Sequence, residues 1–338
     1  MGHIIAVENL TKSFPNGVVA VTGVSFSVKE GEIFGFLGPN GAGKSTTISI
    51  LTTLIPPTSG TVVVAGYDVK KHPTRVRFSI GYVSQDLAVD DDLTGYDNLR
   101  MQAGLYHIPR KEVEQRIDDV LKMVDLTERA GDLVETYSGG MRKRLDIACG
   151  LIHRPRLLFL DEPTLGLDIQ TRHLIWQYVN QLRSQIRMTI FLTTHYMDEA
   201  DALCDRIAII DYGKIKALDS PGVLKSALGG DMVDFQFQQG TPEEIAHAVQ
   251  TVDSLPNVRE ICPLEDHRYR AIVSHGESVV PEIFEALAEQ PARIGTITMK
   301  RPSLDDVFLH YTGRELRETG GNAAEAFRTR MTMRRTRG

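Results

Sequence analysis

The chain has 338 residues, of which 42% are hydrophobic, so it can form about two domains that each bury a core. Acidic residues outnumber basic ones by 44 to 38 and give a formal net charge of -6, which excludes an overall basic surface for nucleic acid. The three cysteines lie far apart, which excludes a disulfide framework and favours a reducing cytosol. No apolar run reaches the ~20 residues of a membrane span, and the first six residues lack a signal-peptide core, so we expect any membrane role to require a partner.

The first elements in chain order are two strands, 4–7 and 18–28, in which apolar and polar residues alternate. Turn-forming residues at 14–17 separate them, which predicts an antiparallel pair. Strands of a second type are short and continuously apolar; they are predicted at 32–37, 61–65, 80–83, 157–160, 189–193 and 207–210. Helical patterns separate most of them, so the sequence predicts an α/β fold with a buried parallel sheet.

Residues 93–137 interrupt this alternation with apolar residues at helical spacing. Pro109 divides the pattern into two helices, 94–106 and 110–124, so we predict an all-α insertion. Further along, Ser220 and Pro221 begin a helix that the pair Gly229-Gly230 follows. We therefore predict that the first domain comprises residues 1–228 and that it could be separated there as a folded unit.

The second predicted domain, 231–312, is a small α+β unit. Its elements are strand 233–238, helix 242–255, strands 258–263 and 269–274, helix 278–289 and strand 294–299. This βαββαβ order is the ferredoxin-like one, and a last helix at 303–311 follows it. Residues 313–338 carry five arginines from Arg328 to Arg337 and are predicted to be a disordered, solvated basic tail.

A glycine-rich loop follows the predicted strand 32–37 and opens a helix. It matches G-x-x-x-x-G-K-[ST] and, with the next residue, consists of Gly38, Pro39, Asn40, Gly41, Ala42, Gly43, Lys44, Ser45 and Thr46. Its backbone N–H groups and the helix N-terminus suit phosphate oxygens. Lys44 is expected to reach the β and γ phosphates, and the Ser45 hydroxyl to ligate Mg2+. The loop therefore predicts a nucleoside triphosphate site.

Two adjacent carboxylates, Asp161 and Glu162, end the apolar run 157–160. Neighbouring residues at a strand end point in different directions, so the two can serve different roles. Asp161 is expected to hold Mg2+, while Glu162 faces the γ-phosphate and accepts a proton from the attacking water.

Between these two motifs stands Tyr137-Ser138-Gly139-Gly140-Met141, followed by a predicted helix at 142–152. Here the sequence resembles the ATP-binding subunits of ABC transporters, whose signature reads L-S-G-G-Q, and the resemblance covers roughly residues 4–225. Tyr137 stands where Leu is usual and Met141 where Gln is usual. The part that can offer a hydroxyl and backbone N–H groups to a phosphate is kept: Ser138, Gly139 and Gly140.

Four further family motifs occur in order, and the resemblance implies a role for each. Phe14 is similar to the aromatic residue that stacks on adenine, and Gln85 to the glutamine of the Q-loop. Asp168, in Gly166-Leu167-Asp168, resembles the D-loop aspartate, and His195 resembles the switch histidine. The catalytic residues implied by the resemblance are Glu162, His195 and Gln85, and the implied Mg2+ ligands are Ser45, Gln85 and Asp161.

The resemblance also implies a fold and an assembly. The fold is a P-loop NTPase motor of the ABC type with an antiparallel β subdomain and the helical insertion. Two such motors sandwich two ATP molecules, each between the phosphate loop of one and the signature of the other. The chain has one copy of each motif and thus needs a second chain, for which a homodimer is the expectation.

The second domain resembles a particular branch of this family. The segment 302–308, together with the signature variant and Asp146, is similar to the daunorubicin-resistance type of ABC ATPase. This implies export of a drug, lipid or other hydrophobic compound through a separately encoded permease, at the cytoplasmic face of the cell membrane. The permease would contact the helical insertion near Gln85.

Two alternatives remain open from the sequence. One is a soluble ABC ATPase that acts on ribosomes or DNA. Ribosome-type members usually carry two motor copies, and DNA-repair members carry a long coiled coil for which the stretch 86–137 is too short. The excess of acidic residues also leaves no surface for nucleic acid. The other is an importer ATPase with a regulatory C-terminal domain, against which the ferredoxin-like order and the segment 302–308 argue.

Overall fold

A computed structural model describes residues 2–264, 268–274 and 276–312. The strands, in chain order, are β1 His3–Ser13, β2 Val19–Lys29, β3 Ile33–Leu37, β4 Ser59–Val64, β5 Tyr67–Asp68, β6 Ile80–Val83, β7 Leu157–Asp161, β8 Thr189–Thr194, β9 Arg206–Asp211, β10 Lys214–Asp219, β11 Asp231–Gln239, β12 Val258–Pro263, β13 Arg268–Val273 and β14 Arg293–Lys300. The helices are α1 Lys44–Leu51, α2 Pro73–Ser79, α3 Gly95–Leu105, α4 Arg110–Met123, α5 Gly139–Leu151, α6 Ile169–Ile186, α7 Met197–Leu203, α8 Pro221–Ser226, α9 Pro242–Asp253, α10 Gly276–Ala286 and α11 Leu304–Thr312. The predicted tail, 313–338, lies outside the described residues. No helix of the described ranges is long and apolar enough to cross a membrane.

An antiparallel sheet opens the chain, with strand order β2-β1-β4-β5. The pairing of β1 with β2 confirms the predicted antiparallel start. The prediction that 61–65 belongs to the parallel sheet is wrong, because β4 pairs antiparallel with β1 from Ile5–Val64 to Thr11–Ser59. Its apolar residues Val62 and Val64 are buried on the face of this antiparallel sheet, and their neighbour Val63 is only partly buried.

The central sheet has six strands in the order β10-β9-β3-β8-β7-β6. All neighbouring pairs are parallel except β10 with β9, which confirms the predicted parallel sheet. Between this sheet and the antiparallel one lies a cluster of aromatic rings whose centroids are 5.4 to 6.1 Å apart: Phe26, Phe34, Phe36, Phe159 and Phe191. Because the strands are parallel, the carboxyl ends of β3, β6, β7 and β8 meet at one edge.

The insertion is helical, as predicted. Helices α3 and α4 pack against each other and against α5, and two short 3-10 turns, Thr127–Arg129 and Val134–Thr136, lead from α4 to α5. Tyr137 is 5% exposed, and its hydroxyl donates a hydrogen bond to the Arg129 carbonyl at 2.6 Å. The aromatic residue at the usual Leu position therefore fixes the insertion to the start of α5.

The C-terminal sheet has the antiparallel order β12-β13-β11-β14, and α9 and α10 cover one face with a core of its own. This arrangement confirms the ferredoxin-like βαββαβ order.

The last helix packs away from that sheet. Helix α11 contacts α7, α8 and β10, and its residues Leu304, Val307 and Phe308 are at most 2% exposed and join the core that contains Leu203 and Leu224. The chain thus leaves the first domain at Gly229-Gly230 and returns to it with α11. A cut after residue 228 would remove buried apolar side chains from the first domain's core.

Candidate functional site

The glycine-rich loop connects the end of β3 to the start of α1. Gly43 is the N-cap residue of α1 with φ 105°, a left-handed conformation that favours glycine. A Cβ atom there would lie 2.5 Å from the Ala20 carbonyl oxygen, so only glycine fits. The first N–H groups of α1 have no helical acceptor, and together with the helix dipole they form an anion-binding site.

Lys44 begins α1 and is 4% exposed. Its ammonium donates hydrogen bonds to the carbonyl oxygens of Gly38 at 2.6 Å and Pro39 at 3.2 Å. It also lies 3.0 Å from Glu162 Oε1 across the site. The phosphate loop and the carboxylate after β7 are therefore joined by a buried ion pair.

Asp161 and Glu162 stand at the end of β7, beside the loop. Glu162 has φ 51°, a positive value that is uncommon for a non-glycine residue and that often occurs at active sites. Burial acts to raise the pKa of Glu162, but the hydrogen bond with His195 and the Lys44 charge outweigh it and lower that pKa. Burial raises the pKa of Asp161, opposed by a hydrogen bond from Thr193.

His195 follows β8, the strand next to β7. Its Nδ1 forms a short hydrogen bond with Glu162 Oε2, so Glu162 contacts a potential cation on each side. The imidazole ring also lies 4.1 Å from the Tyr196 ring, whose other neighbour is the Arg172 guanidinium at 3.9 Å. These contacts fix the ring at the edge of the site.

Two other predicted residues, Gln85 and Phe14, follow strands of different sheets. Gln85 is exposed and follows β6, the outermost strand of the edge. Phe14 is partly buried just after β1, with the Lys12 ammonium 5.2 Å from its ring centroid. The role of each remains a prediction.

The signature residues lie on a different surface. Helix α5 begins at Gly139, three residues earlier than predicted, because Ser138 caps it by accepting a hydrogen bond from the Met141 N–H at 3.3 Å. Ser138 and Gly139 are exposed. Within the described residues, no hydrogen bond or ion pair joins them to the phosphate loop.

Asp168 is close to the signature rather than to the phosphate loop. Its carboxylate caps α6 by accepting hydrogen bonds from the Thr171 N–H at 2.9 Å and the Thr171 hydroxyl at 2.6 Å, and the hydroxyl bond lowers the pKa of Asp168. A Cβ on Gly140 would lie 2.6 Å from Thr171 Cγ2. Thr171 therefore links the start of α6 to the start of α5.

The sequence did not reveal two buried residues that organise the site. The Thr193 hydroxyl donates to Asp161 Oδ1 and accepts the Glu162 N–H at 3.1 Å. The Glu199 carboxylate accepts hydrogen bonds from Thr164 at 2.8 Å and Trp176 at 3.0 Å, which joins α7 and α6 to the loop after β7. The threonine pair directly before His195 was a usable signal for Thr193. No sequence signal pointed to Glu199, because an acidic residue in a short helix usually indicates a solvent-exposed face.

A divalent cation of the Mg2+ type fits the donors at this edge. Mg2+ prefers one or two carboxylates, waters and phosphate oxygens, and Asp161 and the exposed Ser45 hydroxyl are donors of that kind. Among the residues described, no group of three or more His, Cys, Asp or Glu side chains is placed to hold a metal ion without phosphate.

Two parts of the chain match known protein families. Residues 21–165 match the family described as "ABC transporter", and residues 220–312 match "ATP-binding protein DrrA1-3-like, C-terminal domain". The linearmycin resistance ATP-binding protein LnrL of Bacillus subtilis is 39% identical over 93% of this chain and 100% of its own length. The daunorubicin resistance ATP-binding protein DrrA2 of Streptomyces coeruleorubidus is 38% identical over 96% of this chain and 99% of its own. The Nod factor export ATP-binding protein I of Ralstonia nicotianae is 36% identical over 93% and 95%.

Solved structures match the first domain. The cbiO1 protein from Clostridium perfringens, part of an ABC transporter complex, has a TM-score of 0.63 and 28% identity, with 66% of this chain and 91% of that chain covered. A dimeric ATP-binding cassette in a post-hydrolysis state, bound to ADP and phosphate, has a TM-score of 0.57 and 27% identity, covering 64% and 98%. The chain therefore belongs to the ABC transporter family and is an ATP-binding and ATP-hydrolysing subunit of the exporter type, with a DrrA-like C-terminal domain.

Proposed function

We propose that the chain hydrolyses ATP with Mg2+ to drive export of a drug, lipid or other hydrophobic compound through a separate membrane-spanning permease, at the cytoplasmic face of the membrane. Relatives named for linearmycin and daunorubicin resistance and for Nod factor export support this, because each aligns with more than nine-tenths of the chain. The C-terminal match supports the drug-exporter branch in particular.

One observation carries the ATPase part of the proposal. Lys44 at the start of α1, Glu162 after β7 and His195 after β8 meet through the ion pair at 3.0 Å and the short His195 hydrogen bond. An ammonium at the phosphate loop, a carboxylate and an imidazole in contact with one another are groups that can serve phosphoryl transfer to water.

The Lys44–Glu162 ion pair suggests how the site is activated. A γ-phosphate competes with Glu162 for the Lys44 ammonium, because both are anions and the phosphate carries more charge. When Lys44 contacts phosphate, Glu162 retains His195 as its partner and gains the freedom to accept a proton from the attacking water. The His195 contact keeps the carboxylate oriented meanwhile.

Mg2+ would be held by the Asp161 carboxylate, the Ser45 hydroxyl and Gln85. When bound, the ion neutralises charge on the β and γ phosphate oxygens. Thr193 holds the Asp161 carboxylate in place for this role.

Assembly with a second copy is part of the proposal. The exposed Ser138 and Gly139 offer a hydroxyl and backbone N–H groups but do not contact the phosphate loop of their own chain. A second copy could place its phosphate loop against them, which would couple closure of a homodimer to the presence of ATP. The dimeric cassette described above supports this arrangement.

Co-expression tests the proposed function. The chain, expressed with a candidate multi-span permease, should co-purify with that permease, and candidate compounds should stimulate its ATPase activity. Lys44→Ala should weaken binding of a labelled ATP analogue by at least about tenfold, because it removes the ammonium facing the phosphates. Lys216→Ala, which changes an exposed lysine of β10, is the control. Unchanged binding in the Lys44 variant would reject the phosphate site, and ATP hydrolysis without any permease association would reject export.

A further inference from the structure

A buried ion pair on α5 has no part in the site described above. Lys143 Nζ lies 3.5 Å from Asp146 Oδ2, one turn along the helix, and the two side chains are 5% and 3% exposed. Burial lowers the pKa of Lys143 and raises the pKa of Asp146, and the charge of each partner opposes these shifts. A buried pair is costly to desolvate and contributes little net stability, so its presence calls for another role.

The pair holds the chain on both sides of Gln85. Lys143 Nζ donates a hydrogen bond to the Ser84 carbonyl oxygen at 2.9 Å. The Asp146 carboxylate accepts a hydrogen bond from the Ala88 backbone N–H. Gln85 lies between these two anchors, at the end of β6, so the position of its backbone depends on α5.

The anchored segment has little packing of its own. Residues 85–88 are exposed and form neither helix nor strand, and the Ser84 hydroxyl bonds only locally, to the Asp86 carbonyl at 2.6 Å. Beyond it, Val89 packs against the hydrophobic core, and the Asn98 side chain binds the backbone of Asp90. Between β6 and Val89, the two charged side chains thus attach the chain on both sides of Gln85 to α5.

The same helix begins at the signature. Ser138 caps α5, and Lys143 follows less than two turns later. A short helix moves as a rigid body, so a displacement of Ser138 also displaces Lys143 and Asp146. The structure therefore connects the signature to Gln85 through one helix and one ion pair.

We propose that Lys143 and Asp146 are positioning residues, which hold Gln85 for catalysis and transmit to it the position of the signature. The inference rests on the proposed function, in which Gln85 faces the ATP of its own subunit and the signature faces the ATP of the second copy. When the signature closes on the ATP of the second copy, it then also positions Gln85 at the ATP of its own subunit. Hydrolysis at the two sites becomes cooperative as a result.

Two double variants of the full-length chain test this. Single substitutions leave an unpaired buried charge and endanger folding, whereas removing both charges often preserves it. K143M/D146N removes the Ser84 bond but keeps an acceptor for the Ala88 N–H; K143M/D146L removes both anchors. Asp125→Asn is the control, because Asp125 is 88% exposed and pairs at 3.6 Å with Arg144 of the same helix.

We expect a graded loss of turnover without loss of binding. For K143M/D146L, kcat should fall at least about tenfold and the Hill coefficient for ATP should approach one, while the ATP dissociation constant stays within about threefold. K143M/D146N should lie between this variant and wild type, and Asp125→Asn should match wild type. Hydrogen exchange over residues 84–92 should accelerate in the same order, since the Ala88 N–H loses its acceptor.

The outcomes separate the inference from the function on which it rests. A folded K143M/D146L protein with wild-type kcat and Hill coefficient overturns the inference, whether or not exchange at residues 84–92 increases. Wild-type protein that neither binds nor hydrolyses ATP overturns the proposed function first. The melting temperature of each variant is measured to show that the protein is folded under the assay conditions, so that kcat can be expressed per folded subunit.

Discussion

Glu162 combines a positive φ angle with close contacts to Lys44 and His195. At 51° the backbone of a non-glycine residue is disfavoured by about 1–3 kcal/mol, which the surrounding structure must offset. The two hydrogen bonds from its N–H to Thr193 and the contacts with Lys44 and His195 supply that stabilisation. The conformation aims the carboxylate at the phosphate loop rather than along the strand.

The Glu162→Gln variant should bind ATP but lower kcat by at least about 100-fold, because an amide keeps the shape of the side chain but cannot accept the proton. ATP should then stabilise a dimer, visible by light scattering. Glu128→Gln, at an exposed position, is the control. Near-normal turnover would show that another group is the base.

His153 gives a prediction about pH. Its Nε2 donates to the Ile80 carbonyl at 2.8 Å and its ring stacks on Tyr106 at 3.7 Å, while buried Nδ1 has no hydrogen-bond partner among the described residues. Burial lowers the pKa of His153 from 6.5 to about 4. Between these values the unfolded chain binds a proton that the folded chain does not, so the free energy of unfolding should decrease as pH falls below 6.5.

The matched variant is His153→Gln, which keeps a donor for Ile80 but cannot titrate. When the pH is lowered from about 7 to about 5, the melting temperature of the wild type should decrease more than that of this variant. Equal losses in the two proteins would assign acid sensitivity to other groups.

At the scale of elements, Asp168 has two separable roles. Asp168→Ala should lower the melting temperature through loss of the α6 cap, whereas Asp168→Ser should retain the cap and the melting temperature. If the carboxylate acts at the contact with a second copy, both variants should lose at least about tenfold in kcat. Wild-type ATPase activity in the serine variant would limit Asp168 to capping.

The sequence predicts the positions of strands better than the strands with which they pair. The runs at 80–83, 157–160 and 189–193 are apolar on both faces, and β6, β7 and β8 confirm the strands predicted there. The run at 61–65 is equally apolar, but its pairing with β1 depends on residues far away in the chain, which no local pattern encodes. The sequence pattern predicts a later start for α5, because Gly139 and Gly140 are weak helix formers and only the Ser138 cap reveals the true start.

The candidate site was predictable where motifs encode it. Lys44, Glu162 and His195 were selected from sequence, and the structure brings them into contact, although their catalytic roles stay predictions. The supporting shell was not predictable. Thr193, Glu199 and Lys143 act through tertiary contacts, so their residue types carry no signal until the strands and helices are assembled.

At the scale of the whole molecule, α11 makes the C-terminal region part of the motor's core. Phe308→Ala should destabilise the chain by about 3–5 kcal/mol because Phe308 is 1% exposed in that core. Leu309→Ala is the control, since Leu309 is 41% exposed and surface changes usually stay within about 0.5 kcal/mol. Chemical denaturation with ATP present and absent measures both. Similar losses in the two variants would show that the α11 contact is marginal.

The return of α11 also has a consequence for synthesis. Translation proceeds from the N-terminus at roughly 5–20 residues per second, and the motor's core is complete only when Leu304 and Phe308 have left the ribosome. Every motif for nucleotide binding is by then already translated. The ribosome thus releases a finished ATPase only together with its C-terminal domain, and a chain broken within residues 231–303 leaves a motor with an open apolar patch, a substrate for chaperones and proteases.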